Sequence, residues 1–308
     1  MKTAPFHGKK QNQAFFEGWY YKIDEAVSKN SYVFIIGISQ NENGKGEAFL
    51  QFVESSQHRP LYYSFQLEEF AASQSHFEIR LAKNYFSKNR ISINLPELKV
   101  ELEFSQHIGW KESTLAPNIM GPLHYIGGLE CNHGILSYRS KVNGSIQFDE
   151  KEFQVSQAVG YQEKDWGSNF PKAHIWLQCN QFTVPDLSLS VAIAQLNIFN
   201  QDIKGYAATL RNGSIDKVFS NYTFSRFQHS SIGEHYQLRF DSLRYQLKLS
   251  FQIKDSVALK TPVQGGMIGQ VRESINSEVS LQLYDRLRGK SLYNTRGTST
   301  GIEVAGLW

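Results

Sequence analysis

From Leu243 the chain alternates with a period of two: Leu243, Tyr245, Leu247, Leu249, Phe251 and Ile253 are apolar, separated by Arg244, Gln246, Lys248, Ser250 and Gln252. A helix would scatter those apolar residues around its circumference, whereas a strand puts them all on one face. The same alternation runs through Leu98, Val100, Leu102 and Phe104, and through Val279, Leu281 and Leu283. Tyr32–Ile38 is apolar without a break, the pattern of a strand covered on both faces. Asn43-Gly44, Asn143-Gly144 and Asn212-Gly213 predict tight hairpin turns, because both residue types tolerate positive φ. Gly265-Gly266 reads as a further strand-joining turn. No stretch predicts an amphipathic helix of three turns; Ser64–Ala72 and Phe77–Asn84 are the best short candidates. Many antiparallel strands with few short helices give an all-β fold of the sandwich or barrel kind, and closed barrels remove the hazard of unpaired edges.

A length of 308 residues suits two domains or one large one. No Gly/Ser/Pro linker divides the chain, but the alternation lapses across Gln157–Phe170. The boundary is therefore expected just before that stretch, giving an N-terminal barrel over residues 1–155 and a C-terminal barrel over 156–308, closely packed.

A net charge of +3 with no run of like charges argues against nucleic acid or an anionic membrane surface as the main partner, and leaves peripheral membrane contact open. Two cysteines, Cys131 and Cys179, provide neither a disulfide scaffold nor a cysteine-rich metal site. No secretory leader pattern and no window approaching a membrane span is present, so the expectation is a cytoplasmic chain. The aromatic share, 13%, is high, so many large rings must be buried or must line something.

Four segments break the strand pattern with polar and aromatic residues. Glu163 and Asp165 lie two apart, so on an extended chain both point to one face, with Lys164 opposite and Trp166 following. A carboxyl among rings loses hydration, keeps its proton more readily and can act as a general acid. The competing reading is an ion pair with Lys164 tying down a loop. His174, Trp176, Gln178 and Asn180 share a face opposite Ile175, Leu177 and Cys179, and suggest a partly polar barrel lumen; outward exposure is the alternative. Glu17 with Trp19 and Tyr21 repeats the acid-and-ring theme, or belongs to a structural plug. The segment Gly121–His133 carries His124, Tyr125, Glu130, Cys131 and His133, whose spacing matches no metal-ligand signature. No metal and no cofactor is expected.

At these segments the chain resembles the tocopherol cyclase family. The resemblance rests on Phe16-Glu17-Gly18-Trp19-Tyr20-Tyr21-Lys22, on Gly121-Pro122-Leu123-His124-Tyr125-Ile126-Gly127-Gly128-Leu129, on Glu163-Lys164-Asp165-Trp166-Gly167 with Phe170-Pro171, and on Trp176-Leu177-Gln178-Cys179-Asn180. It implies two closely packed lipocalin-like antiparallel β-barrels, a fold shared with carotenoid hydratases, and a small hydrophobic ligand of the isoprenoid or prenylquinol kind. In plant members a prenylated quinol closes to a chromanol: the first prenyl double bond is protonated and the phenol oxygen captures the cation, without cofactor. Glu163 matches the family's Glu and becomes the first candidate proton donor. Asp165 replaces the plant Asn and sets a second carboxylate beside it. The family motifs also make Glu17, Trp19, Tyr20, His124, Tyr125, Glu130, Trp166, His174, Trp176, Gln178 and Asn180 candidates for lining or orienting the ligand. A non-catalytic carrier of a lipophile is the alternative, and a carbohydrate-active β protein a third.

Overall fold

The computed structural model describes residues 3–8, 13–57, 59–198, 201–213 and 215–306, and the fold is all-β. In chain order the first strands are β1 (Phe15–Asp24), β2 (Ser31–Gln40), β3 (Gly46–Glu54), β4 (Leu61–Phe65), β5 (Phe70–Ala72), β6 (Glu78–Leu81), β7 (Asn84–Ser87), β8 (Arg90–Leu95), β9 (Leu98–Ile108), β10 (Cys131–Phe148) and β11 (Lys151–Gly167). They form one antiparallel sheet in the order β4-β3-β2-β1-β11-β10-β9-β8-β7-β6-β5. The two end strands of that order, β4 and β5, are joined by residues 66–69 and the 3-10 turn η1 (Leu67–Glu69). So short a link requires the sheet to curl until its edges approach each other, which is barrel closure.

The remaining strands are β12 (His174–Cys179), β13 (Gln181–Phe182), β14 (Ser188–Ile198), β15 (Gln201–Arg211), β16 (Asp216–Ser220), β17 (Arg226–Ile232), β18 (His235–Asp241), β19 (Tyr245–Gln252), β20 (Val257–Val263), β21 (Gly266–Asp285) and β22 (Lys290–Ala305). The second sheet runs β16-β15-β14-β12-β22-β21-β19-β18-β17, with β13 on β22 and β20 on β21. It repeats the plan of the first: the opening strand pairs with the closing one (β1 with β11, β12 with β22), and the end strands β16 and β17 are joined by a short link containing η3 (Asn221–Thr223). No helix among the described residues is long and apolar enough to cross a membrane.

The chain forms two compact units: residues up to Phe170 with Lys260–Gln270, and Pro171–Leu259 with residues from Val271 onward. The position 155/156, expected as a boundary, falls inside β11. The alternation lapses there because β11 is buried on both faces from Gly160 to Lys164, so polar residues no longer mark an outer side.

Alternation predicts burial closely. In β9, Leu98, Val100, Leu102 and Phe104 are buried, and Lys99, Glu101, Glu103 and Ser105 are exposed. The first core is dense with rings, Phe34 against Phe52 at 5.0 Å and Phe52 against Phe148 at 5.2 Å, so part of the aromatic share fills space rather than lining it.

Two local expectations are corrected. Asn143-Gly144 is not a turn: β10 runs straight through it with a bulge, and the hairpin closes at Asp149-Glu150, both at positive φ. Gly144 is required instead by close approach, since a Cβ there would sit 1.9 Å from the Glu101 carbonyl oxygen. The helix candidates give only η1 within Ser64–Ala72, and Phe77–Asn84 is the β6 strand and its turn into β7. The Asn43-Gly44, Asn212-Gly213 and Gly265-Gly266 turns form as expected.

Candidate active site

β11 pairs with β1 on one side and β10 on the other, and period two divides its side chains between two faces. One face looks into the first core. There Trp166, Lys164 and Gln162 stand opposite Glu17, Trp19 and Tyr21. Glu17 and Lys164 are fully buried and form an ion pair. The Lys164 ammonium also donates to the carbonyls of Thr3 (3.0 Å) and Pro5 (2.5 Å), and lies over the rings of Trp19 (4.8 Å) and Trp166 (5.2 Å). Burial pushes Lys164 down to about 8 despite the opposing pull of Glu17. Glu17 accepts from the His7 backbone N–H at 3.1 Å on both oxygens, the His7 ring stacks on Trp166 at 4.5 Å, and Phe6 packs on Trp19 and Phe70. Glu17 thus anchors the N-terminal segment in the barrel, the plug role weighed above.

The opposite face carries the second cluster. Tyr161, Glu163 and Asp165 follow one another at alternate positions on β11. The Tyr161 hydroxyl donates to Glu163 Oε2 at 2.5 Å. His133, opposite Asp165 in register on β10, places Nδ1 2.9 Å from Asp165 Oδ1 and Nε2 3.7 Å from Glu163 Oε2. Burial works against a charged imidazole, but the carboxylates of Glu163 and Asp165 outweigh it and raise His133 to about 9. Tyr20, buried, is the β1 register partner of Glu163. Bulges in β10 after Ile135 disturb the register beside this cluster, a common device for re-aiming side chains. Glu163 is therefore buried between a phenol and an imidazolium, an arrangement that can hold and hand on a proton.

His133, Glu163 and Asp165 each bring one possible ligand atom within 4.8 Å of the others. His133 Nδ1 and Asp165 Oδ1 already face each other at 2.9 Å within this trio.

The remaining candidates do not converge on one pocket. Trp166 and Trp19 stand on the core face of β11 and β1, away from Glu163. His124, in the 3-10 turn η2 (Gly121–Tyr125), is buried, hydrogen-bonded to Asn118 at 2.8 Å and edge-on to Trp166. Tyr125 is 59% exposed, with its hydroxyl on the Thr114 carbonyl. Glu130 uses its backbone carbonyl to receive the N–H groups of Ser168 and Asn169.

In the second unit the lumen expectation is reversed. Ile175, Leu177 and Cys179 face the apolar core, and His174, Trp176 and Gln178 lie on the opposite face of β12, which is buried as well, so outward exposure does not describe them either. His174 pairs with Glu303 across β22. Asn180, just past β12, is buried. Gln178 is fully buried, and neither of its amide atoms has a hydrogen-bond partner among the described residues.

Sequence reasoning missed Tyr161 and His133 as members of the cluster. Tyr161 carried a signal, since the parity that joins Glu163 to Asp165 also joins it to Tyr161. His133 carried none, because its place depends on the β10–β11 register.

A family model described as tocopherol cyclase-like matches residues 93–306. The chloroplastic tocopherol cyclase of Zea mays is 22% identical over 193 residues, covering 53% of this chain and 36% of that protein. The chain spans about a third of the length of the curated relatives it matches. Among solved structures, CghA with Sch210972 superposes with a TM-score of 0.59 at 10% identity over 99% of this chain and 95% of that one. Kievitone hydratase from Nectria haematococca gives 0.50 at 10% identity over 100% and 99%. At such identities these neighbours establish the fold alone.

Proposed function

Because this chain belongs to the tocopherol cyclase-like family, we propose that it binds a hydrophobic, alkene-bearing ligand of the isoprenoid or prenylquinol kind and adds a proton to its double bond. The observation that carries this reading is Glu163, buried between the Tyr161 hydroxyl and His133. Glu163, having taken a proton from the neighbouring His133 imidazolium, gives it to the less substituted alkene carbon, and the π electrons form the new C–H bond. The cation left on the more substituted carbon is captured by a phenol oxygen of the same ligand, giving a ring, or by water, giving an alcohol. The proton released from that oxygen returns to the Glu163 carboxylate. The His133 imidazolium, held by Asp165, stands close enough to share that proton. Ring faces of Tyr20 and Tyr161 favour a passing cation, and a dry site strengthens every charge within it. The name of the maize relative, a cyclase, supports the first of these outcomes.

The second reading is a carrier of lipophiles. It draws on the same contacts, because a carboxylate bonded by Tyr161 and an imidazole Nδ1 bonded to Asp165 need no substrate to account for them. Glu163→Gln separates the two. For an enzyme, turnover of a prenylated quinol falls by about 10²–10⁴-fold with ligand binding retained; binding by both proteins with no product from either identifies a carrier.

A further inference from the structure

One end of the second unit gathers three bare apolar side chains on neighbouring connections. Phe224, after η3, is 93% exposed; Leu243, in the β18–β19 turn, 88%; and Leu287, in the β21–β22 turn, 71%. Their proximity follows from bonds between the turns. The Arg286 N–H donates to the Arg244 carbonyl at 2.7 Å, and the Arg286 guanidinium to that of Ser242 at 3.1 Å. Arg226, two residues after Phe224, pairs in register with Asp241, beside Ser242.

Single exposed apolar residues are ordinary on protein surfaces; a cluster marks an interaction site. These three are also held in place. Asp285 accepts the backbone N–H groups of Leu287 and Arg288 at 3.2 and 3.1 Å. Ser242 and Tyr245 bond reciprocally across the Leu243 turn. Phe224 sits in the left-handed backbone region (φ 55°), where a bulky residue is a genuine outlier. A strained backbone presenting an exposed ring is an outlier from which function is properly inferred.

Cations outnumber anions around these tips. Arg226, Arg286, Arg288 and Lys290 are exposed, while the neighbouring acids, Asp241 and Asp285, are paired, Asp241 with Arg239 and Asp285 with Arg244 at 2.8 Å and more distantly with Arg288 at 4.0 Å. The whole-chain balance of +3 conceals this local excess. Apolar tips ringed by arginine are complementary to a lipid surface, with tips entering the acyl boundary and guanidinium groups at anionic headgroups.

We propose that this end of the second unit docks on a bilayer carrying anionic lipid, through Phe224, Leu243 and Leu287. The inference is independent of the reading of Glu163.

The test is co-sedimentation of the full chain with vesicles of phosphatidylcholine alone, or of equal parts phosphatidylcholine and phosphatidylglycerol. The wild-type protein sediments with the mixed vesicles and far less with phosphatidylcholine. The triple variant Phe224→Ser, Leu243→Ser, Leu287→Ser keeps the wild-type circular dichroism and melting temperature and loses at least about tenfold in partitioning. Arg286→Glu with Arg288→Glu keeps the fold and loses about fivefold or more for each residue changed. No sedimentation above the lipid-free control overturns the proposal, as does a triple variant that binds like wild type. A dimer in light scattering that the triple variant converts to monomer, with no vesicle binding, assigns the surface to a second copy instead and also overturns it.

Discussion

The Nε2 atom of His133 lies 3.7 Å from Oε2 of Glu163, while its Nδ1 is tied to Asp165 at 2.9 Å. One imidazole thus spans two carboxylates on alternate positions of β11, and its folded-state value of about 9 stands above the ordinary 6.5. The sign follows from linkage: stabilisation by the imidazolium is complete below about pH 6.5 and is lost as pH rises through about 9. The shift corresponds to a contribution on the order of 3 kcal/mol. Urea unfolding of wild type should show a decline in stability across that window that is flattened in His133→Gln. An equal decline in both proteins refutes the assignment.

Lys164 and Glu17 form a fully buried pair on the other face. Removing one partner leaves a bare buried charge, and Lys164→Met should cost about 3–5 kcal/mol. The double variant Glu17→Leu, Lys164→Met should regain much of that loss. Lys164 titrates in the opposite sense to His133. Its folded value of about 8 lies below 10.5, so stability rises across that interval as the strained charge is relieved. That rise should be absent from Lys164→Met. Single and double variants of equal stability would dismiss the pair.

Legibility in the sequence followed length of pattern. The strands around Leu98–Phe104 and Tyr245–Phe251 declared themselves, because six or more alternating residues fit only one geometry, although Leu243, read as the start of the second, lies in the turn before it. Phe77–Asn84 did not, because four-residue strands joined by a turn with Ala82 at positive φ leave no period to read. Asn143-Gly144 misled because an Asn-Gly pair signals positive φ, which a bulge needs as much as a turn does. On β12 the alternation was plain, but which face turns inward is decided by the neighbouring strands. At the site, Glu163, Asp165 and the opposed Lys164 were visible from parity. The long-range pairing that brings in His133 was not.

Gly144→Ala should be among the costlier single changes in the first unit. The new methyl would stand 1.9 Å from the Glu101 carbonyl oxygen at φ +142°, so the β9–β10 ladder must move. A loss of about 2–4 kcal/mol is expected by chemical denaturation. A neutral result would show that the bulge tolerates a side chain.

Gln178 is the reverse case. Its amide is buried with no hydrogen-bond partner among the described residues, so Gln178→Met should stabilise the protein by about 1–3 kcal/mol. Destabilisation by a similar amount would mean that the amide has a partner in solution.

Proton transfer from Glu163 is best tested by following the proton. Incubation with a prenylated quinol in heavy water, analysed by mass spectrometry, should give a product with one non-exchangeable deuterium at the former alkene carbon. Glu163→Gln should bind the same quinol and give no such product. Deuterium incorporated equally by both proteins would contradict the account.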